Sequence, residues 1–177
     1  TMVFKPSEQV PITSNHIAEM LKEAGLPDGV FNVVNGDKEI TEAICDHPDI
    51  KAVSFVGSTK VAKIVYARAT SSFKKCAALG GAKNHLIVLP DANVAMTASN
   101  VAASMTGCAG QRCMAASAMV GVGPVDHIIE KLCEEARKII PGKNLGSVIS
   151  KAAKERIEKY ITEAEKQGAK ILVDGRN

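Results

Sequence analysis

The fold class is indicated by residues 51–81, "KAVSFVGSTKVAKIVYARATSSFKKCAALGG". The apolar run at residues 51–58 predicts a buried strand, residues 59–70 have helical spacing, and a second apolar run at residues 76–79 stops at a Gly-Gly pair. Two strands joined by one helix indicate a parallel crossover, because parallel neighbours need a long connection that is usually helical. This stretch therefore predicts an α/β protein with parallel strands.

The same alternation continues on both sides of this stretch. Before it, the pattern predicts a strand, a helix, a strand and a short helix at residues 1–5, 12–24, 30–36 and 37–46. After it, the pattern predicts strands at residues 84–92, 115–123 and 169–175, and helices at residues 93–106, 126–139 and 150–168. The last helix has Ser150 as its expected N-cap and Gly168 as its expected C-cap. The first half therefore has the pattern of a nucleotide-binding sheet, which binds ligands beyond the carboxyl ends of its strands.

Composition argues against several classes of function. The 177 residues carry a net charge of +3 without a basic block, and aromatic residues make up 3%, so nucleic-acid binding is not expected. No apolar run approaches the roughly 20 residues that span a bilayer, so no membrane partner is expected. The first residues have the pattern of a strand and not of a signal or transit sequence. Five cysteines at irregular spacing favour free thiols in a reducing compartment, either the cytoplasm or, in a eukaryote, the mitochondrial matrix.

A second stretch, "GCAGQRCMAAS" at residues 107–117, contains two of these cysteines. A metal pair, a disulfide, packed thiols and a nucleophile are the alternatives, and no metal site is expected because a structural zinc site needs about four ligands. Cys113 lies beside Arg112 after a Gly-rich turn, and both features favour the thiolate that attacks electrophiles. Its own backbone N–H is free to meet an oxyanion. Four cysteines are expected to pack as small hydrophobic residues: Cys45, Cys76, Cys108 and Cys133. For Cys113, packing and catalysis both remain open at this point.

Two further motifs each allow a structural and a functional interpretation. In "FVGSTKVAK", residues 55–63, Gly57 and Ser58 lie between a strand and a helix, where backbone N–H groups can bind a phosphate or Ser58 can simply cap the helix. In "KPSEQVP", residues 5–11, Lys5 and Glu8 lie at the start of a helix and can form a solvated capping turn.

Taken together, these motifs resemble the aldehyde dehydrogenase superfamily in order and spacing, over nearly the full chain. The motifs are "KPSEQVP", "GLPDGVFNVVNG", "FVGST", "GGAKNH" and "GCAGQRCMAAS". Within the superfamily, "CDHPDIKAVSFVGS", "GAKNH" with "PDAN", and "GQRCMA" look like the methylmalonate-semialdehyde dehydrogenases, its coenzyme-A-acylating branch. The resemblance implies the later part of a Rossmann-type NAD-binding domain at residues 1–80 and the start of an α/β catalytic domain at residues 81–177.

The resemblance also implies an NAD site. Lys5 and Glu8 match positions that contact the adenosine ribose of NAD, where an acidic side chain suits a free hydroxyl and would repel a 2′-phosphate. Gly57 and Ser58 match the turn near the pyrophosphate.

The remaining implied roles belong to the reaction. Cys113 matches the nucleophile of the superfamily's G-Q-x-C pattern, and Arg112 is expected to hold the substrate carboxylate. Leu79 occupies the position at which hydrolytic members carry the Glu that activates water. The resemblance therefore implies a Cys113 thioester that coenzyme A, as a co-substrate, releases as propionyl-CoA or acetyl-CoA in valine catabolism.

The resemblance implies, finally, that the chain is a central portion of a longer protein. That protein would act on a small semialdehyde and form a homo-oligomer, either a dimer or a tetramer. Two other hypotheses remain, namely another atypical aldehyde dehydrogenase, or a catalytically inactive fragment that binds a dinucleotide or another protein.

Overall fold

The computed structural model describes residues 1–176 and divides them into two compact units, the first Thr1–Gly81 and the second beginning at Ala82. The first unit contains β1 (Met2–Phe4), α1 (Pro11–Glu23), β2 (Phe31–Val33), α2 (Lys38–Asp46), β3 (Ala52–Val56), α3 (Thr59–Ser71) and β4 (Lys75–Leu79). The second contains β5 (Asn84–Val88), α4 (Val94–Thr106), a 3-10 turn (Gly107–Gly110), β6 (Ala116–Gly121), α5 (Asp126–Arg137) and α6 (Lys151–Lys166). No helix within residues 1–176 is both long and apolar enough to cross a membrane.

All three strand pairs are parallel, as the alternation predicted. β1 pairs with β2, β3 with β4 and β5 with β6, and each crossover contains a helix. The α/β class is therefore confirmed. Within the described residues the pairs remain separate two-stranded sheets and do not join into one continuous sheet.

The core of the first unit lies on one face of β3 and β4. Alternate strand residues point to the same face, so Val53, Phe55 and Cys76 pack against a cluster of Cys45, Val65 and Ala69. Burial raises the pKa of the Cys45 thiol, and the neighbouring Asp46 carboxylate raises it further. The prediction that Cys45 and Cys76 are packed thiols is confirmed.

The core of the second unit lies between the strands β5 and β6 and the helices α4 and α5. Val88, Val125 and Ile128 form its buried centre. The opposite face of the strand pair stays exposed, since Ile87, opposite Val120 in the register, keeps 70% of its surface accessible.

The last helix begins at its predicted N-cap, but its C-cap is Gln167 and not the expected Gly168. The Ser150 Oγ accepts a hydrogen bond from the Ala153 N–H at 3.1 Å and so caps the first turn of α6. Gly168 follows the last turn with a φ of +96°, a conformation that favours glycine.

The strand predicted at residues 169–175 is wrong. These residues form no strand, and no strand within the described part of the chain pairs with them. Arg176 instead forms ion pairs with Glu165 of α6, at 3.0 Å, and with Asp174, at 2.5 Å. An apolar run becomes a strand only when a neighbour accepts and donates its backbone hydrogen bonds, which local sequence cannot report.

Candidate active site

The candidate nucleophile lies in the segment between α4 and β6, residues 107–115, here called the nucleophile turn. Its first part is left-handed, with φ of +54° at Cys108, +53° at Ala109 and +72° at Gly110. A left-handed conformation costs a residue other than glycine roughly 1–2 kcal/mol. Contacts from outside the left-handed residues must therefore hold this turn.

The Gln111 side chain holds the first half of the nucleophile turn. Its Nε2 donates to the Cys108 carbonyl at 2.9 Å, and its Oε1 accepts from the Ile149 N–H at 2.8 Å. The Gln111 backbone N–H also donates to the Cys108 carbonyl, at 3.1 Å. One amide thus links the left-handed residues to the segment that leads into α6.

The Asn84 side chain, from the start of β5, holds the second half. Its Nδ2 donates to the Cys113 carbonyl at 2.8 Å and to the Ala115 carbonyl at 2.9 Å. The Ser104 Oγ of α4 accepts from the Ala116 N–H at 3.1 Å. The backbone that carries Cys113 is therefore fixed by side chains from two other elements.

Cys108 and Cys113 are both exposed, and both are free thiols. The prediction that Cys108 packs as a small hydrophobic residue is wrong, because the left-handed run leaves its side chain on the surface of the turn. In the part of the chain that the structure describes, the Cys113 N–H has no hydrogen-bond acceptor. Cys113 is thus exposed, and within the described residues its backbone N–H is not used by another acceptor.

The Arg112 side chain folds back over the start of the same turn. Its guanidinium lies so close to Gly107 that a Cβ at this position would overlap it. Within residues 1–176, no carboxylate lies within ion-pair distance of Arg112. A guanidinium without a carboxylate partner is well shaped for a carboxylate on a ligand.

The first unit contains a cleft of about 1450 Å³ that brings together three of the four predicted cofactor residues, Lys5, Glu8 and Ser58. Lys5 Nζ lies 3.7 Å from the Glu8 carboxylate and donates to the Gly36 carbonyl at 2.9 Å. Lys5 is therefore partly engaged in holding its own turn, whereas the Glu8 side chain is 47% exposed.

Gly57 and Ser58 first serve the local structure. The Ser58 Oγ accepts from the Val61 N–H at 3.4 Å and caps α3, so the helix-cap interpretation is confirmed. The Gly57 N–H donates to the Leu79 carbonyl at 3.1 Å, and the missing Cβ of Gly57 makes room for the Phe55 ring. Gly57 does not line the cleft, so its predicted contact with a cofactor gains no support from this geometry.

Leu79 is the last residue of β4, and its side chain is 60% exposed. The segment after it is fixed by the Gly81 N–H, which donates to the Thr59 Oγ1 at 2.9 Å. An apolar side chain therefore projects into solvent at a position that could accommodate a carboxylate. No group of three or more potential metal ligands occurs among residues 1–176.

Comparison with known proteins decides the family. The model of the aldehyde dehydrogenase family matches residues 1–177. The chain belongs to the aldehyde dehydrogenase family. The resemblance seen in the motifs is thereby confirmed, and so is the aldehyde dehydrogenase-like fold.

Several named proteins are similar to this aldehyde dehydrogenase chain. Malonate-semialdehyde dehydrogenase 2 of Geobacillus kaustophilus is 46% identical, over 99% of this chain and 38% of the relative. An Anopheles gambiae protein named "Probable methylmalonate-semialdehyde/malonate-semialdehyde dehydrogenase [acylating], mitochondrial" is 45% identical, over 100% of this chain and 35% of the relative. The chain thus spans just over a third of the length of such relatives.

Solved structures have the same fold. The methylmalonate-semialdehyde dehydrogenase of Oceanimonas doudoroffii matches with a TM-score of 0.91 and 45% identity, over 99% of this chain and 38% of the other. A Sinorhizobium meliloti structure, named as a "putative methylmalonate-semialdehyde dehydrogenase" complexed with NAD, has a TM-score of 0.91 and 44% identity, over 99% of this chain and 37% of the other.

Proposed function

We propose that this chain belongs to a methylmalonate- or malonate-semialdehyde dehydrogenase, an enzyme that oxidises a carboxylated aldehyde with NAD and transfers the acyl group to coenzyme A. One observation carries the proposal: an exposed Cys113 lies beside Arg112 on a turn that side chains hold in place, and within residues 1–176 neither the Cys113 N–H nor the Arg112 guanidinium has an acceptor or ion-pair partner. The names of the similar proteins support the choice of substrate.

The residues of the first unit fit NAD. The cleft beside Lys5 and Glu8 is large enough for a dinucleotide, and the exposed Glu8 carboxylate can accept hydrogen bonds from a ribose. The first N–H groups of α3, at Thr59 and Lys60, have no acceptor within residues 1–176 and can meet a phosphate. When bound, NAD supplies the acceptor for the hydride that leaves the substrate.

Cys113 carries the covalent step in this proposal. Its thiolate attacks the aldehyde carbon, and the Cys113 N–H donates a hydrogen bond to the oxyanion that forms. Loss of hydride from this thiohemiacetal leaves a thioester on Cys113. The Arg112 guanidinium binds the substrate carboxylate and thereby selects carboxylated aldehydes.

Leu79 explains why coenzyme A, and not water, accepts the acyl group. A leucine cannot remove a proton from water, so hydrolysis of the thioester lacks the general base that the hydrolytic members use. The substrate carboxylate leaves as carbon dioxide, and the α-carbon that keeps the bonding electrons takes up a proton from water. The thiol of coenzyme A then displaces the Cys113 thiolate. The products are propionyl-CoA from methylmalonate semialdehyde and acetyl-CoA from malonate semialdehyde.

For the full-length protein we propose a homo-oligomer in the cytoplasm or, in a eukaryote, the mitochondrial matrix. Five free cysteines support a reducing compartment, and one similar protein is named as mitochondrial. The apolar face around Ile87 and Val120 is exposed, and parallel sheets are usually covered on both faces. We therefore expect a further part of the full-length protein or of a second subunit to cover this face.

The test uses the full-length protein with NAD, coenzyme A and each semialdehyde, followed by mass spectrometry of the products. We expect NADH together with propionyl-CoA or acetyl-CoA, and no product from a Cys113→Ser variant. A free acid as the main product would identify a hydrolytic aldehyde dehydrogenase. Absence of NADH with both substrates would contradict the proposed oxidation.

Arg112→Ala separates this substrate class from other aldehydes. We expect kcat/KM to fall about a hundredfold for a carboxylated aldehyde, since a charged hydrogen-bonded partner is lost, and only a few-fold for propanal. An equal loss for both substrates would contradict the carboxylate role of Arg112.

A further inference from the structure

We propose that Asn84 is a positioning residue for Cys113, an inference that rests on the proposed function. The Asn84 Nδ2 donates to the Cys113 carbonyl at 2.8 Å and to the Ala115 carbonyl at 2.9 Å. Both partners are acceptors, so only the NH₂ group of the amide can face them. One side chain thus uses both of its donors on the segment that carries the nucleophile.

A fixed Cys113 carbonyl also restricts the orientation of the Cys113 side chain. Each residue has only two soft backbone dihedrals, so a carbonyl held in place limits the rotation of the backbone about the same Cα. The Cys113 thiol and N–H both extend from that Cα or its nitrogen. Asn84 therefore restrains the direction of the attacking sulfur and of the oxyanion donor together, which is the preorganisation that catalysis requires.

The neighbouring hydrogen bonds indicate that loss of the Asn84 side chain would free Cys113 more than Ala115. The Ala115 carbonyl also accepts from the Ser117 Oγ at 3.2 Å, and the Ala116 N–H donates to the Ser104 Oγ at 3.1 Å. Within residues 1–176, no side chain besides Asn84 donates to the Cys113 carbonyl. Removal of Asn84 leaves the start of β6 attached and releases the nucleophile.

The strand register at this point supports the same role. Asn84 pairs with Ala116, but His85 pairs with Ala118, so β6 contains an irregularity at Ser117. Such bulges reorient side chains and occur frequently next to active sites. Here the irregularity directly follows the segment that Asn84 holds.

The test compares Asn84→Asp and Asn84→Ala with wild type in the full-length protein. Asp has the shape of Asn but, when ionised, cannot donate, and Ala removes both donors without adding charge. We expect kcat to fall about tenfold to a hundredfold in both variants, because the nucleophile is displaced, with KM changed less than about twofold. The matched control is Asn93→Asp, since the Asn93 Oδ1 that accepts from the Met96 N–H at 3.0 Å is retained in Asp.

The measurement combines initial rates with thermal unfolding of each variant. The expected result is a loss of kcat in Asn84 variants whose unfolding midpoint stays near that of Asn93→Asp. A kcat within twofold of wild type in both Asn84 variants overturns the proposal. So does failure of both variants to fold, which would assign Asn84 to the stability of the unit. If wild type shows no Cys113-dependent oxidation, the proposed function fails first, and the role of Asn84 fails with it.

Discussion

The turn from β3 into α3 and the turn from α4 into β6 are held by different kinds of contact. In the first, Ser58 caps its own helix and the Gly57 N–H bonds to the adjacent strand. In the second, the Asn84 side chain reaches the Cys113 carbonyl from 29 residues away, and Gln111 links to Ile149 across 38 residues. The first turn is capped by its own side chain and bonded through its backbone to the paired strand, whereas the second is held by side-chain amides that bridge to other elements.

This difference fits the two proposed roles. A helix N-terminus offers N–H groups to a phosphate without any special backbone, so local capping is sufficient for binding. A nucleophile needs a defined direction for both its sulfur and its oxyanion donor, and a left-handed turn cannot supply this without outside support.

The largest effect is expected at Cys113, and the other exposed cysteine of the nucleophile turn, Cys108, serves as its control. Cys113→Ser should lower kcat at least about a thousandfold, because the hydroxyl is a far weaker nucleophile at neutral pH. Cys108→Ser, in the same turn and equally exposed, should stay within about twofold of wild type. Initial rates of NADH formation by the full-length protein check both. A severe loss in Cys108→Ser with an active Cys113→Ser would reverse the assignment.

The next effect is expected at the end of β4. Under the proposed function, Leu79→Glu supplies the general base that hydrolytic members carry at the matching position, so hydrolysis of the thioester should rise about tenfold or more. The measurement is the ratio of free acid to acyl-CoA by mass spectrometry at fixed coenzyme A. Leu79→Gln is the matched control, since it has a similar shape and cannot act as a base. An unchanged ratio in Leu79→Glu would rule out Leu79 as the determinant of the acceptor.

Ser58 allows its capping role and its proposed binding role to be separated. Ser58→Ala should lower the free energy of unfolding by about 1 kcal/mol, because the cap of α3 is lost. Ser58→Asp retains a capping oxygen but brings a negative charge to the expected pyrophosphate, so stability should hold while the Kd for NAD rises about tenfold. Urea unfolding and calorimetric titration with NAD measure the two effects. An unchanged Kd for NAD in Ser58→Asp would show that the pyrophosphate does not bind beside Ser58.

The smallest effect is expected at the ion pair between Asp46 and Arg68, which joins α2 to α3. The Arg68 guanidinium donates to both Asp46 oxygens, at 2.9 and 2.6 Å, and these hydrogen bonds hold the pKa of Asp46 below its usual value. A depressed carboxyl pKa adds stability above the unfolded-state pKa of about 3.9, and this stability is lost as pH falls through the folded-state pKa.

Asp46→Asn should therefore be slightly less stable than wild type at pH 7, and the difference should shrink as the pH is lowered toward 3. Urea midpoints at the two pH values measure it. Asp28→Asn is the control, because Asp28 is 89% exposed and lies 3.7 Å from Lys22 in a looser pair. A stability difference between Asp46→Asn and wild type that grows as the pH falls would contradict the lowered pKa of Asp46.

The parts of the fold that local sequence determines could be predicted. The strand, helix and strand of residues 51–81 follow from apolar periodicity and the Gly-Gly stop, and the Ser150 cap follows from its place before an amphipathic helix. The family could also be predicted, because the order and spacing of its motifs are properties of the sequence itself.

The parts that depend on distant contacts could not be predicted. The exposure of Cys108 follows from a left-handed run at two residues other than glycine, which propensities disfavour and which Gln111 helps to hold. The strand expected at residues 169–175 needs a pairing partner that its own sequence does not specify. The role of Asn84 depends on its proximity to Cys113, and "GGAKNH" alone gives no signal of this contact.

Trapping the acyl-enzyme shows directly whether Cys113 forms the thioester. The full-length protein is mixed with methylmalonate semialdehyde and NAD without coenzyme A, quenched in acid, digested and analysed by mass spectrometry. We expect an acyl group on the peptide that contains Cys113, attached at Cys113 and removed when coenzyme A is added before the quench. An acyl group attached at Cys108, or no acyl-enzyme while NADH forms, would contradict this expectation.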